Sequence, residues 1–98
     1  MRDYDLIGRY GGEEFLLLLP GCDASSAGQV AERVRAGITA RAVRIGDVEL
    51  VVSVSLGAAC TTSGGVGPSL LIEAADEALS KAKSLGRNRV EVGAVSPS

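Results

Sequence analysis

Between Phe15 and Leu19 the chain carries five consecutive apolar side chains, closed by Pro20 and Gly21. A short apolar run without polar alternation reads as a strand buried on both faces and interior to its sheet. Such a strand needs a neighbouring strand on each side. Gly11-Gly12-Glu13-Glu14 separates it from an earlier apolar segment, Leu6 to Tyr10. A Gly-rich turn of four residues between two apolar runs predicts a hairpin.

A helix follows. Ser26-x-x-Gln29 has the form of a capping box. Ala27, Val30, Ala31, Val34 and Ile38 recur at helical spacing. The end is expected near Thr39. Arg41 to Ile45 and Val48 to Ala59 then read as two strands joined at Gly46-Asp47. In the second, Val48, Leu50, Val52, Val54 and Leu56 share one face, and Glu49, Ser53, Ser55 and Gly57 the other. Thr61 to Gly67 is a loop rich in Thr, Ser and Gly. Pro68 suits the first position of a second helix, whose buried face is Leu71, Ala75, Ala78, Leu79 and Ala82. Glu77 and Lys81 are spaced for an i,i+4 pair. Gly86 suits a helix terminator, and Val90 to Val92 a final short strand. The order of elements is that of an α+β, ferredoxin-like domain whose chain begins at the middle hairpin.

Composition narrows the chemistry. The chain has 98 residues, enough for one small domain. Ten Lys and Arg against twelve Asp and Glu give a net charge of −2, with no basic excess to suggest nucleic-acid binding. There is no histidine, which removes His-based general bases, His metal ligands and the Ser-His-Asp triad. Cys22 and Cys60 have no zinc-ligand spacing and read as reduced, small hydrophobes of a cytoplasmic protein. No apolar stretch reaches the length of a membrane span, so no membrane contact is expected.

Three groups of residues remain as candidates. Glu13 and Glu14 follow two glycines, and carboxylates suit a hard cation such as Mg²⁺ held together with substrate phosphates. Spacing alone favours the blander reading, a solvated hairpin tip. Lys83 and Arg87, four apart at the end of the second helix, suit either a phosphate clamp or cations at the negative end of a helix dipole. On spacing the dipole reading leads. Arg2-x-x-Asp5 reads as a surface ion pair, and Arg33 as a solvated helix residue.

The combination shifts that balance. Arg9-Tyr10-Gly11-Gly12-Glu13-Glu14-Phe15 resembles the signature of the GGDEF family in its Gly-Gly-Glu-Glu-Phe variant. The resemblance continues in family order through Leu17 to Pro20, Ala31-Glu32-Arg33-Val34-Arg35, Val52-Ser53-Val54-Ser55-Leu56-Gly57, Ala75-Asp76-Glu77-Ala78-Leu79, and Ala82-Lys83 to Gly86-Arg87-Asn88-Arg89-Val90. It covers roughly residues 2 to 92.

That resemblance implies a diguanylate cyclase. Two such domains meet antiparallel as a homodimer, each presenting one GTP, and condense them into cyclic di-GMP with Mg²⁺ or Mn²⁺. It implies Glu13 as metal ligand and general-base candidate, with Glu14 in a supporting metal or substrate role. Gly11 and Gly12 give the nucleotide backbone room, and Lys83 and Arg87 hold the triphosphate. It also implies an inhibitory product site, with Arg2 and Asp5 as the Arg-x-x-Asp element and Arg33 as its secondary arginine. Ser80 stands where the family often has Tyr.

The family's first strand, its metal-binding aspartate and its guanine-reading helical segment have no counterpart in the chain. Residues 1–95 are therefore expected to form a partial GGDEF domain, with 96–98 a tail. A nucleotidyl-cyclase-like antiparallel sheet is expected, lacking its first strand and that strand's helix. The absent strand is central in the family, between Phe15 to Leu19 and Leu50 to Ala59. If both keep their places, about 9–10 Å separates them, twice the normal strand spacing. Alongside the cyclase reading stand two alternatives: a receptor that binds cyclic di-GMP, and a truncated piece without activity of its own.

Overall fold

A computed structural model of the chain describes residues 4–8, 13–40, 43–50 and 53–95. In order these form β1 (Asp5–Gly8), β2 (Glu14–Pro20), α1 (Ala24–Thr39), β3 (Val43–Ile45), β4 (Val48–Leu50), β5 (Ser55–Thr61), α2 (Pro68–Ser84) and β6 (Val90–Ala94). The fold is α+β. One four-stranded sheet has the order β1-β2-β5-β6, and β3 and β4 form a separate hairpin around Gly46-Asp47.

The apolar run behaves as its composition requires. β2 pairs antiparallel with β1 on one side and parallel with β5 on the other. Leu17 and Leu19 pack with Leu56, Ala58 and Cys60 beneath Ala27 and Ala31 of α1. Leu16 and Leu18 pack with Ala59 beneath Leu71, Ala75 and Leu79 of α2. The helices thus cover opposite faces, and successive leucines feed opposite layers. Each fully buried leucine contributes about 1.5–3 kcal/mol of burial free energy.

Two expectations about the sheet are corrected. It is mixed, not antiparallel: β2–β5 and β5–β6 are both parallel. Nor is there a gap between β2 and β5, which are hydrogen-bonded neighbours in register from Glu14↔Ser55 to Pro20↔Thr61. The two corrections have one cause. Strands that are each antiparallel to a shared partner are parallel to one another. With no described strand between them they close directly into a parallel ladder, joined by the crossover through α1 that parallel pairing requires.

Local details also shift. The α1 cap is Asp23, not Ser26: the Ser26 backbone N–H donates to Asp23 Oδ1 at 2.8 Å. The helix starts earlier than the apolar stripe implies, so Ser26 lies within its first turn. The expected strand Val48 to Ala59 is divided, because β4 pairs with β3 while β5 pairs with β2 and β6. Ser55 and Gly57 are therefore buried beneath α2 instead of forming a polar face. Lys81 reaches Glu91 across to β6 (3.8 Å) in place of Glu77. The second helix follows expectation closely, with Pro68 in its first turn and Leu71, Ala75, Ala78, Leu79 and Ala82 buried.

Candidate functional site

The site is assembled at one end of α2. Leu85 caps the helix, and Gly86 takes φ 118°. The Arg87 N–H donates to the Ala82 carbonyl at 2.9 Å and the Gly86 N–H to the Lys83 carbonyl at 3.4 Å. This is a Schellman turn, and it folds the chain back so that Arg87 lies beside Lys83. Arg87 and Asn88 continue in the left-handed region, at φ 61° and 49°.

Glu14, the first residue of β2, lies on the α2 face of the sheet and is buried. Its carboxylate is shared between two cations. Lys83 Nζ lies 3.4 Å from Oε1, and Arg87 Nη1 lies 3.4 Å from Oε2. Both contacts are longer than a tight charge-assisted hydrogen bond, about 2.7–2.9 Å. The carboxylate is enclosed, with its side chain 10% exposed, whereas Lys83 is 35% and Arg87 57% exposed. Two cations around one carboxylate leave an excess positive charge facing solvent, a setting that attracts an oxyanion.

Neighbouring backbone is locked to the same place. Ser55, opposite Glu14 in the ladder, donates its N–H to the Glu13 carbonyl at 2.9 Å. Its Oγ accepts the Asn88 N–H at 3.1 Å. The Leu56 N–H donates to the Arg89 carbonyl at 2.9 Å. The Asn88 side chain in turn accepts from Arg35 Nη1 of α1 at 3.1 Å. Arg35 is held by Glu32, which accepts from Nε at 3.1 Å and from Nη2. These bonds hold the Glu32 carboxyl below its ordinary pKa and push the Arg35 guanidinium above its own.

Among the sequence candidates, Glu14, Lys83 and Arg87 come together. Glu13 is exposed in the turn before β2. Asp5 is exposed at the start of the outer strand β1, and Arg33 is exposed on α1, which packs over β5 and β6. Arg2, Gly11 and Gly12 lie outside the described residues. Arg35, Asn88 and Ser55 drew no role from the sequence, although all three fall within the motif segments. The usable signal was an Asn after Gly-Arg at a helix end, since Asn tolerates the left-handed region.

Comparison with known proteins matches residues 1–89 to the family model described as "Diguanylate cyclase, GGDEF domain". The chain belongs to the GGDEF family. It is 44% identical over 91 residues to the uncharacterized protein YhcK of Bacillus subtilis, covering 92% of this chain and 25% of YhcK. It is 36% identical over 89 residues to Diguanylate cyclase A of Treponema denticola, covering 91% of this chain and 24% of that protein. It is 37% identical over 92 residues to the response regulator PleD of Caulobacter vibrioides, covering 92% of this chain and 20% of PleD. The chain thus spans a quarter or less of the length of these relatives. No solved structure matches it significantly.

A divalent cation can be tested against this GGDEF site. Among the described residues no group of three or more Cys, Asp or Glu could hold a metal. Mg²⁺ needs only one or two carboxylates when substrate phosphates and water complete its shell. Glu14, with two phosphate-attracting cations beside it, and the adjacent Glu13 meet that requirement in donor type. Among the described residues, no helix is long and apolar enough to cross a membrane.

Proposed function

We propose that this chain forms the triphosphate-binding part of a diguanylate cyclase, which in a longer parent condenses two GTP molecules into cyclic di-GMP. The observation that carries this reading is the convergence of Lys83 and Arg87 on Glu14. Lys83, as a compact point charge, and Arg87, as a planar fork, hold the β- and γ-phosphates. The 3′-hydroxyl of one GTP attacks the α-phosphate of the other, and pyrophosphate leaves. Lys83 and Arg87 stay with the leaving group, where negative charge accumulates.

Glu14 and Glu13 are the residues that would hold Mg²⁺ or Mn²⁺. When bound, the cation would lower the pKa of the attacking hydroxyl and screen the phosphate charge. Without it, Glu14 occupies Lys83 and Arg87 as their counter-ion until a phosphate competes for them. The family's antiparallel homodimer supplies the second GTP. Asp5 and Arg33, with Arg2, form the product-binding part of the proposal, and Gly11 and Gly12 give the nucleotide room. Residues 1–95 make up the partial domain and 96–98 its tail, in a cytoplasmic setting.

The test has two arms. The 98-residue chain is titrated with GTP and Mg²⁺ by calorimetry, alone and as Arg87→Ala. Binding weakened about tenfold by the substitution is expected, the scale of a lost hydrogen bond between charged groups. Equal affinity in both proteins would refute the phosphate-clamp assignment. A longer parent is incubated with GTP and Mg²⁺ and assayed for cyclic di-GMP, and no product would sink the cyclase reading. The isolated chain is expected to form none.

A further inference from the structure

We propose that Arg35 is a positioning residue for the phosphate clamp, acting on Arg87 through Asn88. The proposal rests on the reading of Lys83 and Arg87 as phosphate ligands and adds the device that aims one of them. Arg87 sits at φ 61° and Asn88 at φ 49°. Consecutive non-glycine residues in the left-handed region persist only where their surroundings over-determine them.

Four ties hold this turn. The Arg87 N–H binds the Ala82 carbonyl, the Asn88 N–H binds Ser55 Oγ, and the Arg89 carbonyl accepts from Leu56. The fourth is the Arg35 Nη1 to Asn88 Oδ1 bond. Two of the first three use backbone groups alone, and the other draws on Ser55, buried beneath α2. The fourth is made only by side chains and reaches across from α1, a separate element.

Arg35 is built for that contact. Its guanidinium gives Nε and Nη2 to Glu32, which leaves Nη1 directed at Asn88. A planar fork can serve two partners in fixed directions, and an ammonium group cannot. The Arg35 side chain is 19% exposed and Glu32 is 55% exposed, so the brace stands at the surface end of the contact and does not form part of the apolar core. Releasing it frees the Asn88 side chain and leaves the turn on its three remaining ties, which loosens the backbone that sets the direction of Arg87 toward Glu14 and a bound phosphate.

The experiment uses the 98-residue chain and inorganic tripolyphosphate as the probe. Arg35→Met, Asn88→Gly, their combination and Asn88→Asp are compared by calorimetry, with thermal melting of each. Gly accepts φ near 49° but lacks the acceptor, and Asp keeps both. Arg35→Met and Asn88→Gly should each weaken binding about three- to tenfold, with the double variant no weaker than either single, as expected within one coupled network. Asn88→Asp should retain the affinity. Amide exchange at Arg87 and Asn88 should quicken in Arg35→Met while β2 and β5 stay protected.

Unchanged affinity, or additive losses in the double variant, would overturn the proposal, as would unchanged exchange at Arg87 and Asn88. If the unaltered chain does not bind tripolyphosphate, the phosphate-clamp reading itself falls. Amide exchange then still decides whether Arg35 orders the turn. If Arg35→Met melts too early to measure, Asn88→Gly removes the same bond from the other side.

Discussion

Gly57 of β5 and Ala75 of α2 stand closer than two residues with side chains could. A β-carbon added to Gly57 would lie 2.2 Å from the Ala75 carbonyl oxygen and 2.4 Å from the Leu79 nitrogen. Both obstacles are helix backbone, which cannot rotate aside. The contact sets the height of α2 above the sheet, and with it the distance from Lys83 to Glu14.

Gly57→Ala is therefore expected to destabilise the fold by about 2–3 kcal/mol, the cost of overpacking a filled core. It should also weaken GTP binding, because a displaced α2 carries Lys83 away from Glu14. Urea unfolding midpoints and calorimetric titration measure the two effects. A stable protein with unaltered nucleotide affinity would contradict the role given to this contact.

Glu14→Gln removes the anion that Lys83 and Arg87 share at 3.4 Å. Both cations are then free for phosphate. Affinity for tripolyphosphate without Mg²⁺ should rise about three- to tenfold, on the scale of 1 kcal/mol for a partly exposed ion pair. The advantage should shrink at high salt, since screening acts on the exposed partners. In a longer parent the same change should abolish cyclic di-GMP synthesis by removing a cation ligand. Tighter phosphate binding together with lost synthesis is the signature to look for.

Asp23 accepts the Ser26 N–H at the start of α1, where a carboxylate also meets the positive end of the helix dipole. Asp23→Ala should cost about 1 kcal/mol. Ser26→Ala should change stability much less, because its side chain is not the cap. A larger loss from Ser26→Ala in thermal melting would restore the capping box that the sequence suggests.

Cys22 and Cys60 are free and buried, and both line a cavity of about 190 Å³ with Asp23 and Thr61. Burial pushes the Cys60 thiol above its ordinary pKa, with the charges of Cys22 and Asp23 adding to the effect. A thiol whose pKa is raised by folding holds its proton more tightly in the folded chain than in the unfolded one. Its contribution is complete below the unfolded value, about 8.5, and is lost as pH rises through the folded value. The melting temperature should fall over that alkaline range, and less so in Cys60→Ala relative to its own value at pH 7. A thiol-reactive dye should label the native protein slowly at pH 8 and the urea-unfolded chain rapidly.

Much of this could be read from residue order. The pattern Phe15 to Leu19 demanded an interior strand with a neighbour on each side, and β2 has both. The buried face of α2 followed from 3.6-residue spacing, because a helix meets a sheet along one stripe wherever the sheet lies. Lys83 and Arg87 were legible as a pair, and Glu14 as part of an acidic turn. Their meeting was not legible, because it depends on a Schellman turn at Gly86 and on the depth at which α2 crosses β2.

Strand pairing was the harder matter. Period-two alternation from Val48 to Leu56 is broken only at Val51, and one extra apolar residue does not say where partners change, so one long strand was expected where β4 and β5 belong to different sheets. Arg35 and Asn88 lie 53 positions apart. Their bond arises because α1 passes over β5 and β6 while the turn after α2 folds against Ser55.

Local chemistry thus set which segments are helices and strands, which faces are apolar and to which family the chain belongs. Such properties depend on neighbours within a few positions, where sequence spacing and spatial spacing coincide. Folding in three dimensions set the parallel closure of β2 on β5, the choice of Glu14 over Glu13 as the partner of two cations, and the brace from Arg35. Those depend on which strand lies beside which, and hydrogen-bonding groups that are the same at every residue do not encode that choice locally.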